Sequence, residues 1–326
     1  MFNPMPQPTL IHSSSRNERL IASLQSRSIH PSLHYETAEQ ARKWLEIHRK
    51  HSPAIRPDTI QIYRDATSHV ASLCATSSVQ VISLGCGGGN KDMLLLQSLI
   101  GRECRPHYFP CDISGGLVQE ASVGARALSS NLPCTPVVCD LEHSARLASF
   151  LLPLKSPETT RIFLFFGILP NMEPSMAAAC LRALLHPGDH LLVSANLAPG
   201  TDANAGTRRV LPQYDNPETR DWLLTLIHDL GLSPDAGILH FRIEPSPDQA
   251  SLRQIVAVYE FKNDSRIRID QQTFAFKQGD TLRLFFSNRY TPALAQEFAG
   301  RLKVPNVRNW INVDGDEAVL AGIAQA

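Results

Sequence analysis

The sequence predicts a doubly wound α/β fold, a parallel sheet with helices on both faces, joined to a second, smaller α+β domain. Three observations predict it. Short, continuously apolar runs recur at 80–84, 107–111, 136–139, 161–166 and 190–195, separated by stretches of helical composition. Strands without polar alternation are those buried on both faces, and five such βα units are the count of a doubly wound sheet. After Pro199 the pattern turns to alternating strands with tight turns, which cannot simply extend a parallel sheet.

The elements follow in order. Residues 38–49 and 57–75 have helical composition. The first strand, Gln80-Val81-Ile82-Ser83-Leu84, runs into Gly85-Cys86-Gly87-Gly88-Gly89, and a helical run follows at 91–100. Later helices fall at 116–130, 144–152 and 174–185, and His186-Pro187-Gly188-Asp189 stops the last of these before the fifth strand. Beyond it come a helix at 220–230 and strands at 252–261, 266–269, 273–276 and 281–286, with Asn263-Asp264 and Gln278-Gly279-Asp280 as turns. A helix at 292–302 and a strand at 318–323 return to the first sheet and close it.

Composition excludes several functions. The chain of 326 residues carries 31 basic and 31 acidic side chains, so it has no net field to draw nucleic acid or an anionic membrane. No basic stripe compensates, and Arg208–Arg209 reads as solvated surface. The opening stretch 1–15 has no apolar run behind a basic start and is not a signal peptide. No stretch approaches the roughly 18–20 apolar residues of a membrane span. Seven cysteines show neither a Cys-x-x-Cys pair nor a zinc spacing. They read as reduced, buried thiols of a cytoplasmic protein, and no metal is expected.

The glycine loop carries the chemistry. Glycines let the backbone approach a ligand with no Cβ in the way, and the following helix offers unpaired N–H groups. Two cofactors use this geometry. The dinucleotide form, G-x-G-x-x-G, wants a third glycine where Asn90 stands; Gly85-x-Gly87-x-Gly89 fits the loop of class I methyltransferases. Asp112 ends the second strand, where a carboxylate accepts ribose hydroxyls of either cofactor. Asp140 ends the third, where in a methyltransferase an acid receives the adenine amine. Each Asp also reads as a helix N-cap, but two at successive strand ends favour the cofactor.

The run Leu84-Gly85-Cys86-Gly87-Gly88-Gly89-Asn90-Lys91, followed by Leu94-Leu95-Leu96, resembles the histidine-specific methyltransferase family. The resemblance continues in Phe109-Pro110-Cys111-Asp112-Ile113-Ser114, Cys139-Asp140-Leu141, Phe165-Phe166-Gly167-Ile168-Leu169-Pro170-Asn171-Met172-Glu173-Pro174, Pro187-Gly188-Asp189, Gly279-Asp280 and Ser287-Asn288-Arg289-Tyr290-Thr291. It implies S-adenosylmethionine as cofactor, held by Gly85, Lys91, Asp112, Asp140 and Leu141, with Gly87 and Gly167 completing the expected set. It also implies a class I methyltransferase core at 61–198 and 290–326, with an N-terminal segment, 1–60, and an insertion, 199–289, forming the substrate domain. The expected activity is methyl transfer to the amine of an amino acid or a small molecule derived from one. In the family an Asn after the fourth strand orients the substrate amine, which points to Asn171. A Tyr of the inserted domain binds the carboxylate, which points to Tyr214, and Tyr35 falls where the N-terminal segment folds over the site.

Three departures bear on the substrate. The turn from Gly167 to Asn171 is one residue shorter and more apolar than the family's. The acid that grips an imidazole two residues before a Ser is replaced: with that Ser at Ser287, its place is taken by Phe285. The N-terminal aromatic that assists the histidine carboxylate is replaced by His51 or Ser52. An imidazole N–H buried without a partner costs about 1–3 kcal/mol, so Phe285 and Ser287 are expected to form an apolar pocket end that disfavours histidine. A nicotinamide-dependent dehydrogenase is the rival reading, disfavoured by Asn90 and Asp140. A non-catalytic cofactor-binding relative is the other, opposed by the retained Gly85, Asp112 and Asp140.

Overall fold

Local signals set the helix limits. A computed structural model describes residues 7–11, 15–74 and 77–326. Ser15 and Glu18 form a capping box at the start of α1 (Arg16–Ser26), and Thr37 and Gln40 do so at α2 (Ala38–His51). Helix α3 (Pro57–Leu73) starts on a proline whose missing N–H costs nothing there. Ala75, its expected end, lies outside the described residues, as does part of the polar opening stretch (1–6 and 12–14).

The buried runs form β2 (Ser78–Leu84), β3 (Arg105–Asp112), β4 (Val137–Cys139), β5 (Thr159–Phe165) and β6 (His190–Asn196), interleaved with α4 (Asp92–Ile100), α5 (Gly115–Leu128), α6 (Ser144–Leu151) and α7 (Pro174–Leu184). A short first strand, β1 (Thr9–Ile11), pairs with β4 in parallel. After β6 come α8 (Ala203–Val210), α9 (Pro217–Asp229), β7 (Gly237–Pro245), β8 (Arg253–Phe261), β9 (Ser265–Ile269), β10 (Gln272–Phe276), β11 (Thr281–Arg289), α10 (Pro292–Arg301), β12 (Arg308–Ile311) and β13 (Glu317–Ile323).

The large sheet has the order β1-β4-β3-β2-β5-β6-β13-β12, parallel up to β6, with β13 antiparallel to β6 and β12 antiparallel to β13. Alternate residues of β2 serve opposite faces, as the pleat requires. Val79 and Val81 pack with Ile62, Tyr63, Ala66 and Leu95; Ile82 and Leu84 pack with Leu147, Leu181 and Phe298. The chain order reverses at β2, which lies between β3 and β5. A crevice outside the carboxyl ends of strands at such a reversal is where open α/β sheets bind ligands.

The remaining strands make a separate antiparallel sheet, β11-β8-β7, and the hairpin β9-β10. Their apolar core draws Leu20 and Leu24 from α1, Leu33 from the turn after it, and Trp222 and Leu226 from α9. The N-terminal chain thus starts on the edge of the large sheet at β1, crosses to this second core through α1 and α2, and returns with α3, which packs on the large sheet. Strands β1, β7 and β12 and helices α1 and α8 add to the elements expected from sequence. No helix among the described residues is long and apolar enough to cross a membrane. All seven cysteines are free thiols.

Candidate active site

The loop after β2 turns on four glycines of positive φ: Gly85, Gly87, Gly88 and Gly89. Three of them have no room for a side chain, Gly89 because a Cβ there would lie 2.9 Å from Ala121 Cβ. A Cβ on Gly85 would lie 2.1 Å from Ile168 Cδ1, and one on Gly87 would lie 2.9 Å from Trp44 Cη2. Trp44 reaches the loop from α2 and stacks on His48 one turn further along, with ring centroids 5.2 Å apart. Burial, with the nearby Lys91 charge, pushes the His48 pKa down to about 3, so this ring is a neutral lining group.

A cavity of about 700 Å3 opens from this loop across the ends of β3, β4 and β5. Gly85, Gly87, Lys91, Asp112, Asp140, Leu141, Gly167, Asn171 and Tyr35 all line it, as do Trp44 and His48. Asp112 is buried and accepts the Gly87 N–H at 3.1 Å and the Ser114 N–H at 2.9 Å, one on each oxygen. It does not cap α5, whose N-cap is Ser114. Burial pushes its pKa up to about 6 against the opposing pull of those N–H groups. Asp140 caps the single turn Leu141–His143 through the Glu142 N–H at 2.9 Å and also lines the cavity. Asp92 lies on the same wall; burial pushes its pKa up to about 6, although Tyr108 donates to it at 2.5 Å.

Lys91 is held rather than free. Its Nζ donates to Tyr63 Oη at 2.8 Å and lies 3.5 Å from Glu317 Oε1, and Tyr63 donates a short bond to the same carboxylate. Beyond β5, the Gly167 N–H donates to Ser194 Oγ at 2.9 Å and Asn171 Nδ2 donates to the Gly167 carbonyl at 3.4 Å. The Asn171 amide oxygen makes no hydrogen bond among the described residues, nor does the Tyr35 hydroxyl. Burial, with Asp112 and then Tyr214 nearby, holds the Tyr35 phenol well above its ordinary pKa, so it stays a hydrogen-bond donor.

Tyr214, Phe285 and Ser287 are brought together, but not onto the cavity wall. The register of β11 on β8 shifts between Arg283 and Phe285, a bulge that re-aims the side chains on either side of it. Arg283 and Phe286 face the cavity as a result. Phe285 packs at centroid distances of 6.1 Å from Tyr214 and 6.0 Å from Trp222. The Tyr214 hydroxyl accepts from Asn196 Nδ2 at 2.9 Å and Arg289 Nη2 at 2.6 Å, so its proton goes to Ser287 Oγ, 2.9 Å away. Tyr35, 5.4 Å from Trp222, joins this cluster to the cavity. Sequence reasoning missed Trp44, His48, Arg283 and Phe286. The i, i+4 spacing of Trp44 and His48 on one helix face was the available signal; the bulge left none.

A doubly wound sheet with a crowded glycine loop, and carboxylates at two successive strand ends around one cavity, defines an S-adenosylmethionine-dependent methyltransferase. Residues 16–321 match the family described as histidine-specific, S-adenosylmethionine-dependent methyltransferases, and the chain belongs to that family. It is 21% identical over 259 residues to the N-methyltransferase fsqC of Aspergillus fumigatus, covering 78% of this chain and 68% of that protein. It is 26% identical over 161 residues to the histidine N-alpha-methyltransferase of Mycolicibacterium smegmatis, covering 48% of this chain and 45% of that one. Among solved structures it resembles 1,6-didemethyltoxoflavin-N1-methyltransferase of Burkholderia thailandensis, with 11% identity, 97% and 93% coverage of the two chains and a TM-score of 0.44.

Proposed function

We propose that this methyltransferase acts on the amine of an amino acid or of a small molecule derived from one, and that histidine is not its preferred acceptor. One observation carries the reading: a single cavity joins the glycine loop, Asp112 and Asp140 to Asn171 and Tyr35. The residues suit S-adenosylmethionine. Asp112 has both oxygens on backbone N–H groups and keeps lone pairs for two ribose hydroxyls. By the resemblance Asp140 takes the adenine amine and Leu141 its ring; Gly85, Gly87 and Gly167 give close backbone approach, and Lys91, which also meets Glu317, offers a cation to the carboxylate end. Bound there, S-adenosylmethionine would supply an electrophilic methyl group on a sulfonium leaving group.

The chain's own residues hold the nitrogen and exclude water. The free Asn171 amide oxygen accepts an N–H of the acceptor and turns its lone pair toward the methyl. Tyr35, which keeps its phenol proton, lines the same cavity, with Trp44 and His48 on the loop side. The resemblance gives an imidazole-gripping acid where this chain has Phe285, which packs against Tyr214 and Trp222 off the cavity wall, so that position offers no acceptor for an imidazole N–H. Incubation with methyl-labelled S-adenosylmethionine and a panel of amino acids and their derivatives, read by mass spectrometry, tests this. Label on a non-histidine amine is expected; label confined to histidine, or to oxygen or carbon, overturns it.

A further inference from the structure

Lys91 stands at the head of α4, beside the glycine loop, and its ammonium has three protons to place. One goes to Tyr63 Oη at 2.8 Å and a second to Glu317 Oε1 at 3.5 Å. The side chain also lines the cavity, which leaves the third for a ligand. Tyr63 and Glu317 stand behind Lys91, off the cavity wall, only 1% and 2% exposed. The bonds behind the wall are all directed. Tyr63 donates to Glu317, and Ser194, which accepts the Gly167 N–H at 2.9 Å, bonds the same phenol oxygen. Burial, then the Glu317 charge, holds the Tyr63 phenol well above its ordinary pKa, so it remains a donor to that carboxylate. Glu317 is fixed in turn by its N–H, which donates to Asn312 Oδ1 at 3.1 Å where β13 begins. Among the described residues no other carboxylate lies within 4 Å of Lys91 Nζ. A carboxylate this deep needs a cation, and Lys91 is that cation. Elements α3, α4 and β13 thus bring to the cavity a lysine that already has its counter-charge.

We infer that Glu317 is a positioning residue that acts through Lys91 to weaken the enzyme's hold on the carboxylate of its cofactor. The inference rests on the assignment of Lys91 to that carboxylate under the proposed function and goes beyond it. Glu317 has two opposed effects. Through Tyr63 it helps to aim the ammonium, which favours binding; as a carboxylate it neutralises that ammonium and repels a second carboxylate, which opposes binding. The second effect is the larger. A glutamine in its place would still accept the Tyr63 proton and leave the 2.8 Å tether of Lys91 standing, while a full unit of like charge would be gone. S-adenosylmethionine and the S-adenosylhomocysteine left after transfer carry the same carboxylate, so both are held less tightly to the same degree. Such uniform weakening raises KM and frees the product without touching the chemical step.

The test is calorimetric titration of the full chain with S-adenosylhomocysteine and with its carboxamide, which keeps the ammonium and lacks the negative charge. The ratio of the two affinities isolates the carboxylate. Glu317→Gln should raise that ratio by roughly tenfold, the effect of removing a like charge one lysine away in a partly wet site. The same variant should unfold at lower denaturant, because Lys91 is left without its partner. Tighter binding in a less stable protein is the signature, since a merely structural Glu317 would lower both. Glu317→Asp keeps the charge and should hold the ratio near the wild-type value. Tyr63→Phe lets Lys91 close onto Glu317 and should lower the ratio several-fold, a second reading of the same claim if Glu317→Gln fails to fold. An unchanged or lower ratio in folded Glu317→Gln, an equal rise in the Asp variant, or a rise in Tyr63→Phe would each overturn the inference. A Lys91→Gln variant that keeps the wild-type ratio would instead overturn the assignment of Lys91 to the carboxylate end.

Discussion

Replacing Asp112 tests the cofactor site where its geometry is best defined. The carboxylate accepts two backbone N–H groups, at 3.1 Å from Gly87 and 2.9 Å from Ser114, and lines the cavity with its remaining lone pairs. Asp112→Ala removes an acceptor for the ribose hydroxyls; a hydrogen bond to a charged group is worth about 1.5–3 kcal/mol, or roughly 10- to 150-fold in affinity. It also strands two N–H groups beside a cavity that water can enter, so stability should fall by about 1–3 kcal/mol in all. Asp112→Asn keeps one acceptor and should lie between. Protonation gives a second handle. Burial raises the folded pKa from the ordinary carboxylate value to about 6, so the native state takes up a proton that the unfolded chain does not. The contribution to stability is thus present at low pH and lost as pH rises through about 6. Cofactor binding has the opposite sign, because only the ionised form accepts both hydroxyls. Affinity for S-adenosylhomocysteine should fall as pH drops below about 6, by up to tenfold per unit. Calorimetric titration across pH 5–8 measures it, and the slope left in Asp112→Asn reports Asp92, which burial also raises to about 6. An alanine variant that stays folded and binds within about threefold of wild type would refute this account of the site, as would an Asn variant with the full wild-type slope.

Gly87→Ala puts a Cβ 2.9 Å from Trp44 Cη2 at a φ of 54°; it should weaken S-adenosylhomocysteine by about 1–3 kcal/mol, and Trp44→Ala in the same chain should recover part of that in the same titration. Phe285→Glu buries a carboxylate against Tyr214 and Trp222 and should cost roughly 2 kcal/mol or more in denaturant unfolding. Histidine should remain a poor acceptor of that variant, and a gain in histidine turnover would place the side chain in the acceptor pocket. Turnover should survive EDTA, since no group of three potential metal ligands exists among the described residues and a free amine needs no polarising ion; activity lost to chelation and restored by zinc or magnesium would refute this.

The central strands were legible because burial on both faces leaves a sequence few ways to write them. Four of the six residues from Val79 to Leu84 are apolar, and β2 takes up the run with Val81, Ile82 and Leu84 fully buried. The glycine loop and the two carboxylates were legible for a similar reason, since the backbone there admits few residue types. Edges carry weaker signals. Strand β7 is mostly half-exposed, and its Leu239-x-Phe241-x-Ile243 alternation, polar at His240 and Arg242, is short and flanked by Gly and Pro. Helix α1 was announced only by Ser15 and Glu18, a capping box with few apolar residues behind it.

The acceptor side shows a different limit, one of register rather than of pattern. Residues 281–286 read as a strand, and β11 contains them, so motif spacing placed Phe285 two residues before Ser287 without error. What spacing cannot carry is which face each residue takes when one residue is inserted into the ladder. A single bulged residue exchanges the two faces of every side chain beyond it. Leu284 is that residue: fully buried, it is tied through its carbonyl to His34 Nε2 at 2.7 Å, a bond made by a distant turn of the chain. The bulge therefore depends on a contact 250 positions away, which no local pattern encodes. Because of it, the aromatic and the cation of this strand that face the cavity are Phe286 and Arg283, a pair that only the folded register exposes.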